Sequence, residues 1–310
     1  MQGAAAAILA SVLWGVNPLF FSLLGHVPTV ELLAHRIFWA AVFVGFFCVF
    51  TGRAPRLRAA LLDSRARRGL MLTACLITVN WGVFLYAIQA GRVAEAGVGY
   101  YLMLLVAVGL GVFVLGEDLS RLQTAAIMLA ALAVLLLGIG LGAAPWLPVT
   151  LAISFSFYGL LRKRMETGSI VGFEVEALLL MPFAAGWIGL IWAMGWSGSE
   201  ASPGGWFGAD LRTSLLLMLA GPFTGLPLIL FAEAARQMKY STASLIQYIN
   251  PTLQVAGATL ILGESVSMWF LVSLGIIWIS LALYTREILR QEKASEIAAS
   301  VSSTVSTTVR

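Results

Sequence analysis

Apolar residues in this chain come in long runs, and most of the charges are gathered into short segments between them. Cutting at those segments leaves ten runs of about the twenty residues that a bilayer core demands. They fall at about 3–24, 29–50, 69–90, 97–116, 122–142, 146–161, 173–196, 213–234, 242–262 and 267–285. The pattern predicts an all-α integral membrane protein with ten transmembrane helices. The first run is too long for the apolar core of a signal peptide and has no basic segment before it, so it reads as a span. From about residue 288 to Arg310 the chain turns polar, with Ser, Thr and Ala dominating its end. That composition predicts a disordered tail.

Composition strengthens this picture. Of 310 residues, 60% are hydrophobic and only 11% charged, and the mean hydropathy is +0.92. A soluble domain carries charge on roughly a quarter of its residues. Cys48 and Cys75 lie in separate apolar runs, which suggests neither a disulfide framework nor a metal site.

The cations then orient the chain. With the amino terminus in the cytoplasm, the inner segments hold sixteen of the nineteen Lys and Arg residues, leaving only Arg92 and Arg212 outside and Arg36 within a span. The positive-inside rule therefore predicts that both termini are cytoplasmic, in the inner membrane of a bacterium. The net charge of +4 is explained by topology and calls for no nucleic-acid partner.

An internal repeat emerges when the halves are superposed. Tyr86-Ala87 matches Phe231-Ala232, Tyr101 matches Tyr248, Gly116-Glu117 matches Gly263-Glu264, and Trp14-Gly15 matches Tyr158-Gly159, with offsets of 144 to 147 residues. Each copy holds five spans, an odd number, so the second runs upside down relative to the first. The expected domains are residues 1–143 and 144–287, two inverted five-helix repeats, followed by the tail at 288–310. Alternating access is the mechanism that such symmetry serves.

The residues also resemble a family. Leu13-Trp14-Gly15-Val16-Asn17-Pro18-Leu19, Glu31-Leu32-Leu33-Ala34-His35-Arg36-Ile37-Phe38-Trp39, Asn80-Trp81, Gly99-Tyr100-Tyr101, Gly116-Glu117-Asp118-Leu119-Ser120 and Tyr248-Ile249-Asn250-Pro251-Thr252 are similar to motifs of the drug/metabolite transporter superfamily. Within it they resemble the EamA-type permeases of the RarD branch, named for a chloramphenicol-sensitivity phenotype. The resemblance implies ten helices, a central cavity and export or exchange of small metabolites. Met103-Leu104 stands where the family pattern has Asn-Pro.

Polar groups in mid-membrane are costly unless they line or bond something. The strongest such segment is Gln247-Tyr248-Ile249-Asn250-Pro251-Thr252. Helix breaks are expected at Pro18, Pro222, Pro227 and Pro251, because proline removes an intrahelical hydrogen bond. Gly221-Pro222 and Gly225-Leu226-Pro227 together predict a broken eighth span. The candidate cavity residues are Trp14, Asn17, His35, Arg36, Asn80, Trp81, Tyr86, Gln89, Tyr101, Tyr158, Gln247, Tyr248 and Asn250. Tyr86 and Gln89 share a helical face and are expected to line one wall. Asn80 is open to interhelical hydrogen bonding as well as to cavity lining.

Arg36 lies about 10 Å into the second span at 1.5 Å per residue, so it needs a partner. Glu31 is one turn before His35 on the same face, so the spacing predicts a Glu31–His35 pair. For Arg36 two roles stay open, a structural ion pair and an anion or gating site. Glu117 and Glu264 are expected to cap the helix that follows each, and Glu174, Glu176 and Glu233 to be solvated at cytoplasmic span ends. The ninth span offers Gln247, Tyr248 and Asn250 where the fourth offers Met103 and Leu104. A cavity with one polar and one apolar wall favours aromatic or branched amino-acid-like solutes over sugars.

No P-loop, Cys-His cluster or Ser-His-Asp candidate set occurs, which excludes direct ATP drive on this chain and predicts neither enzyme nor cofactor. The reading is a secondary active transporter of small, amino-acid-like or amphipathic metabolites. A proton is a candidate coupling ion. An intramembrane lipid-modifying enzyme or a lipid scramblase is the alternative. Gly109, Gly111 and Gly116 would allow close helix approach in a homodimer.

Overall fold

The structure is a computed structural model that describes residues 2–115, 120–141, 145–194, 205–237 and 246–308. Eleven helices are described: α1 (Gln2–Ser22), α2 (Thr29–Phe50), α3 (Ala54–Leu62), α4 (Ser64–Gln89), α5 (Val93–Leu115), α6 (Arg121–Leu141), α7 (Trp146–Lys163), α8 (Ser169–Met194), α9 (Leu211–Gln237), α10 (Ile249–Leu260) and α11 (Met268–Thr308). Seven of them, α1, α2, α4, α6, α8, α9 and α11, hold a stretch long and apolar enough to cross a membrane, and α5 holds a shorter one, Val93–Ala107. The exterior suits lipid. Phe46, Phe50, Leu135, Phe183, Trp192 and Leu260 all present apolar surface outward, an arrangement that water would penalise.

Two helical segments lie outside the ten expected spans. α3 occupies the Arg-rich 51–68 loop, with Pro55 in its first turn, where the missing N–H costs nothing. α11 runs on to Thr308, where the polar composition predicted disorder; Gln291, Glu292, Lys293 and Ala294 are good helix formers that let it continue.

Local signals explain the ends. Ser120 and Gln123 form a reciprocal capping box at α6, with Ser120 N–H donating to Gln123 Oε1 at 2.9 Å and Gln123 N–H to Ser120 Oγ at 3.3 Å. Asp210 accepts the Thr213 N–H at 2.8 Å to open α9, a bond that holds this carboxyl below the usual carboxylate range. Gly52 and Gly91 adopt φ of 68° and 63° just beyond α2 and α4, the left-handed turn that ends a helix.

The helices pair as α1 with α9 and α10, α2 with α8 and α9, α4 with α7 and α8, α5 with α7 and α10, and α6 with α11. Inside a membrane, close packing of small residues replaces hydrophobic drive. α9 shows this. A Cβ on Gly221 would sit 2.3 Å from the Trp39 carbonyl oxygen, and one on Gly225 would sit 2.6 Å from Val44.

That packing accounts for the Gly-Pro pairs read as breaks. Pro222 and Pro227 lie inside one continuous α9, and Pro18 lies inside a continuous α1. Each removes a single intrahelical bond, which the helix tolerates, while the glycines admit α2. Pro251 sits in the first turn of α10. Gln247 and Tyr248 form a turn just before Ile249, and residues 242–245 of that span lie outside the described residues.

Candidate functional site

Six helices meet around Arg36. Its guanidinium is 4% exposed and lies 4.6 Å over Trp81 of α4 and 4.9 Å over Phe21 of α1. Its Nε donates to Thr224 Oγ1 of α9 at 3.0 Å. The Thr224 hydroxyl donates in turn to the Ala220 carbonyl at 2.8 Å. Tyr100 of α5 stands close enough to interact electrostatically with the guanidinium, and its hydroxyl donates to Asn80 Oδ1 at 3.2 Å. Asn80 Nδ2 then donates to the Leu151 carbonyl and Ser154 Oγ of α7, both at 3.0 Å.

This arrangement decides between the two roles left open for Arg36 in one respect. No carboxylate pairs with it among the described residues, so the structural ion pair is not made. Two aromatic faces and one hydroxyl compensate its charge instead, each ring contributing about 2 kcal/mol when desolvated. Nη1 is left buried without a partner. Asn17 is one turn before Phe21 on the same face of α1, and its Oδ1 is also buried and unpartnered. A lone donor on a cation and a lone acceptor on an amide are both costly inside a bundle.

The other expected cavity residues divide. Asn80 and Trp81 belong to this cluster, Asn80 with its amide fully bonded. Gln89 instead straps the α1–α2 turn to α4: its Nε2 donates to the Val27 carbonyl at 2.6 Å and its Oε1 accepts from Thr29. Tyr86 is 45% exposed and meets Trp146 in a tilted contact at 5.8 Å, away from the partners of Gln89. Trp14 packs against Phe231 at 5.8 Å. Tyr101 bonds Thr252, tying α5 to α10. Asn250 Oδ1 accepts from Gln254 Nε2 at 2.8 Å, one turn on, and Tyr248 packs against the apolar core as a half-buried side chain. The Gln247 carbonyl accepts the Asn250 N–H at 3.0 Å. The Met103 carbonyl accepts from Ser156 Oγ at 2.8 Å, while the Leu104 side chain lies outside the described residues.

The Glu31–His35 pair does not form. Glu31 Oε1 accepts the Trp206 N–H at 2.9 Å, and both ring nitrogens of His35 are unpartnered. The 205–210 segment causes this. It folds over the end of α2, bringing Phe207 to 5.1 Å from His35 and Trp206 to 4.7 Å from His26, so the backbone N–H reaches Glu31 instead.

The acidic residues correct three further expectations. Glu264 caps the start of α5, accepting the Val93 and Ala94 N–H groups at 2.6 and 2.8 Å, and not the helix after it. Glu117 and the side chain of Glu233 lie outside the described residues. Glu174 and Glu176 are buried inside the bundle, 0% and 1% exposed, and not solvated. Glu176 accepts from Thr73 at 2.6 Å and Tyr158 at 3.1 Å and lies 3.6 Å from Arg162. Tyr158 is thereby a partner of this carboxylate.

Thr224, Phe21, Tyr100 and Glu174 were not singled out as site residues. Thr224 lay between the two Gly-Pro signals, and Tyr100 beside Tyr101 in a quoted motif. Phe21 carried no signal in an apolar run.

Residues 1–139 match the EamA-like transporter family. The chain is 34% identical to the transporter YojE of Bacillus subtilis (strain 168), over 95% of this chain and 97% of that protein. It is 34% identical to Protein RarD of Salmonella typhimurium (strain LT2), over 92% and 95%. A solved crystal structure is similar with a TM-score of 0.60 at 18% identity, covering 94% of this chain and 98% of that one. At that identity the likeness speaks for the fold alone.

Proposed function

The chain belongs to the EamA-like transporter family, in its RarD-type group, and on that footing we propose that it is a secondary active transporter of small amphipathic, amino-acid-like solutes. It works by alternating access between two inverted five-helix repeats in a bacterial cytoplasmic membrane, with both termini in the cytoplasm. The helix pairing supports the repeat. Numbering the ten expected spans in order and exchanging one to five with six to ten turns α1·α9 into α7·α4, α2·α9 into α8·α4 and α5·α7 into α10·α1, and all of these pairs pack.

The observation that carries the substrate class is the enclosed Arg36 with its unpartnered Nη1. A guanidinium so placed recognises a carboxylate through charge-assisted hydrogen bonds, and the Asn17 amide oxygen supplies the acceptor that an ammonium group would need. Trp81 and Phe21 supply apolar surface beside them. Both atoms are shut off from solvent, so a solute reaches them only when α9 and α2 separate, which is what alternating access provides.

The test is Arg36→Ala in reconstituted vesicles. Transport of labelled phenylalanine should be abolished while the protein stays folded and inserted, as judged by a single gel-filtration peak in detergent. Full transport by Arg36→Ala would refute the assignment, and loss of the folded protein would assign Arg36 to structure.

A further inference from the structure

The mechanism proposed above makes no use of the buried carboxyl of Glu174. α8 carries two carboxylates at almost the same depth, with opposite surroundings. Glu176 points toward α4 and α7 and has Thr73, Tyr158 and Arg162 around it. Glu174, about half a helical turn away and so on the other face, is 0% exposed, and neither of its oxygens has a hydrogen-bond partner.

Among the described residues, the groups near Glu174 offer no counter-charge. From α2 it meets Gly45, whose missing side chain makes its room: a Cβ there would lie 2.9 Å from Glu174 Oε1. Cys48, one turn further along α2, is the titratable group it influences, and Arg53 at the end of that helix acts on Cys48. On α7, Arg162 lies 3.6 Å from Glu176 and its Nη1 sits against Gly172, on the Glu176 face of α8, while Tyr158 donates to Glu176. α3 contributes Arg56 and Arg58 and α4 begins with Arg65, Arg67 and Arg68, all on exposed turns. α9 carries Glu233 and Arg236, whose side chains lie outside the described residues. A carboxylate charge without donor or counter-ion costs several kcal/mol in such surroundings.

A route to water is nearby. A cavity of about 900 Å³ opens between α3 and the start of α8, lined by Arg53, Arg56, Asp63, Glu166 and Val171. Val171 lies three residues before Glu174, so the carboxyl is about one helical turn beyond the wall of that cavity. It also sits on the α2–α8 seam, where the second span of one expected repeat meets the second span of the other.

We propose that Glu174 is the proton-binding site through which this transporter couples solute movement to the proton gradient. In the packed α2–α8 seam the site holds a proton as a neutral carboxylic acid. When the repeats move apart and the seam admits water from the cytoplasmic cavity, the O–H bond breaks, the proton passes to water, and the carboxylate is left hydrated beside the Arg53 and Arg56 side. Rebinding a proton lets the seam close. This rests on the transport reading, because only a moving seam gives the proton two sides to visit.

Two measurements separate the proposal from that reading. The first is infrared difference spectroscopy against pH on the protein in lipid. A protonated-carboxyl band should be present in wild type, absent in Glu174→Gln, retained in Glu31→Gln, and shifted in Gly45→Ala, which crowds the group. The second is transport of labelled phenylalanine in proteoliposomes. Glu174→Gln should lose pH-gradient-driven accumulation by about tenfold, within the range of measured coupling energies, while solute-for-solute exchange continues. Absence of the Glu174 band would overturn the proposal, as would accumulation that persists in Glu174→Gln or that follows a sodium gradient. Should Glu174→Gln fail to accumulate in cells, the band shift in Gly45→Ala decides. A wild-type protein that keeps the band but moves no amino acid would contradict the transport reading and still identify the proton site.

Discussion

Glu264→Ala is the change that most sharply tests how the two halves are joined. The carboxylate reaches from the turn after α10 to the first residues of α5, where it accepts the Val93 and Ala94 N–H groups at 2.6 and 2.8 Å. Both residues are buried, so truncation leaves two N–H donors that water reaches only in part. A hydrogen bond to a charged group contributes about 1.5–3 kcal/mol and the helix dipole about 0.3–1 kcal/mol more. Allowing for partial replacement by water, Glu264→Ala should cost about 3 kcal/mol, and Glu264→Gln, which keeps one acceptor, about half of that. The control is Glu95→Ala. Glu95 pairs with Arg92 at 2.7 Å at the bundle's end, and a partly exposed pair contributes only about 0–1 kcal/mol. Detergent-denaturation midpoints would give the stabilities, and hydrogen exchange would locate the effect. Protection should fall at the start of α5 and stay unchanged at the start of α11. Equal stability losses for Glu264→Ala and Glu95→Ala, or exchange rising at Met268 instead of Val93, would refute the cross-bundle cap.

Gly221→Ala should destabilise by about 1–3 kcal/mol through overpacking, because its Cβ would meet the Trp39 carbonyl at 2.3 Å; Gly186→Ala, which faces open space, should be neutral or stabilising in the same denaturation assay. In a background with Cys48 and Cys75 replaced, Ala209→Cys should react with an impermeant thiol reagent from outside intact cells and Ser64→Cys should not. The opposite pattern would invert the proposed orientation.

The sequence carried the coarse architecture because the bilayer enforces it: α1, α2 and α4 fall close to the expected runs, since only apolar stretches of that length satisfy their backbone in lipid. Arg36 was legible for the same reason, as a cation too deep to lack compensation. What surrounds it was not legible. Phe21 is one of many apolar residues in its run, and its position over the guanidinium depends on how α1 crosses α2. The Glu31–His35 pair failed because a distant segment, 205–210, supplied a better partner, which one-turn spacing cannot reveal. Glu264 was rightly read as a helix cap, but only tertiary structure chooses which helix. Gly221 and Pro222 were misread for a related reason: glycine beside proline signals both a break and a close approach, and Trp39 across the seam decides between them.

In the proposed transporter, Arg36 recognises the carboxylate of an amphipathic, amino-acid-like solute. The direct measurement is competition against labelled phenylalanine uptake in proteoliposomes by unlabelled phenylalanine and by phenylalaninamide, which differs only in lacking the carboxylate. Phenylalanine should compete strongly in wild type and the amide weakly, a discrimination of about 2–3 kcal/mol for a buried charge left unpaired, and the preference should vanish in Arg36→Gln. Equal competition by the two compounds, or an unchanged preference in Arg36→Gln, would contradict that recognition.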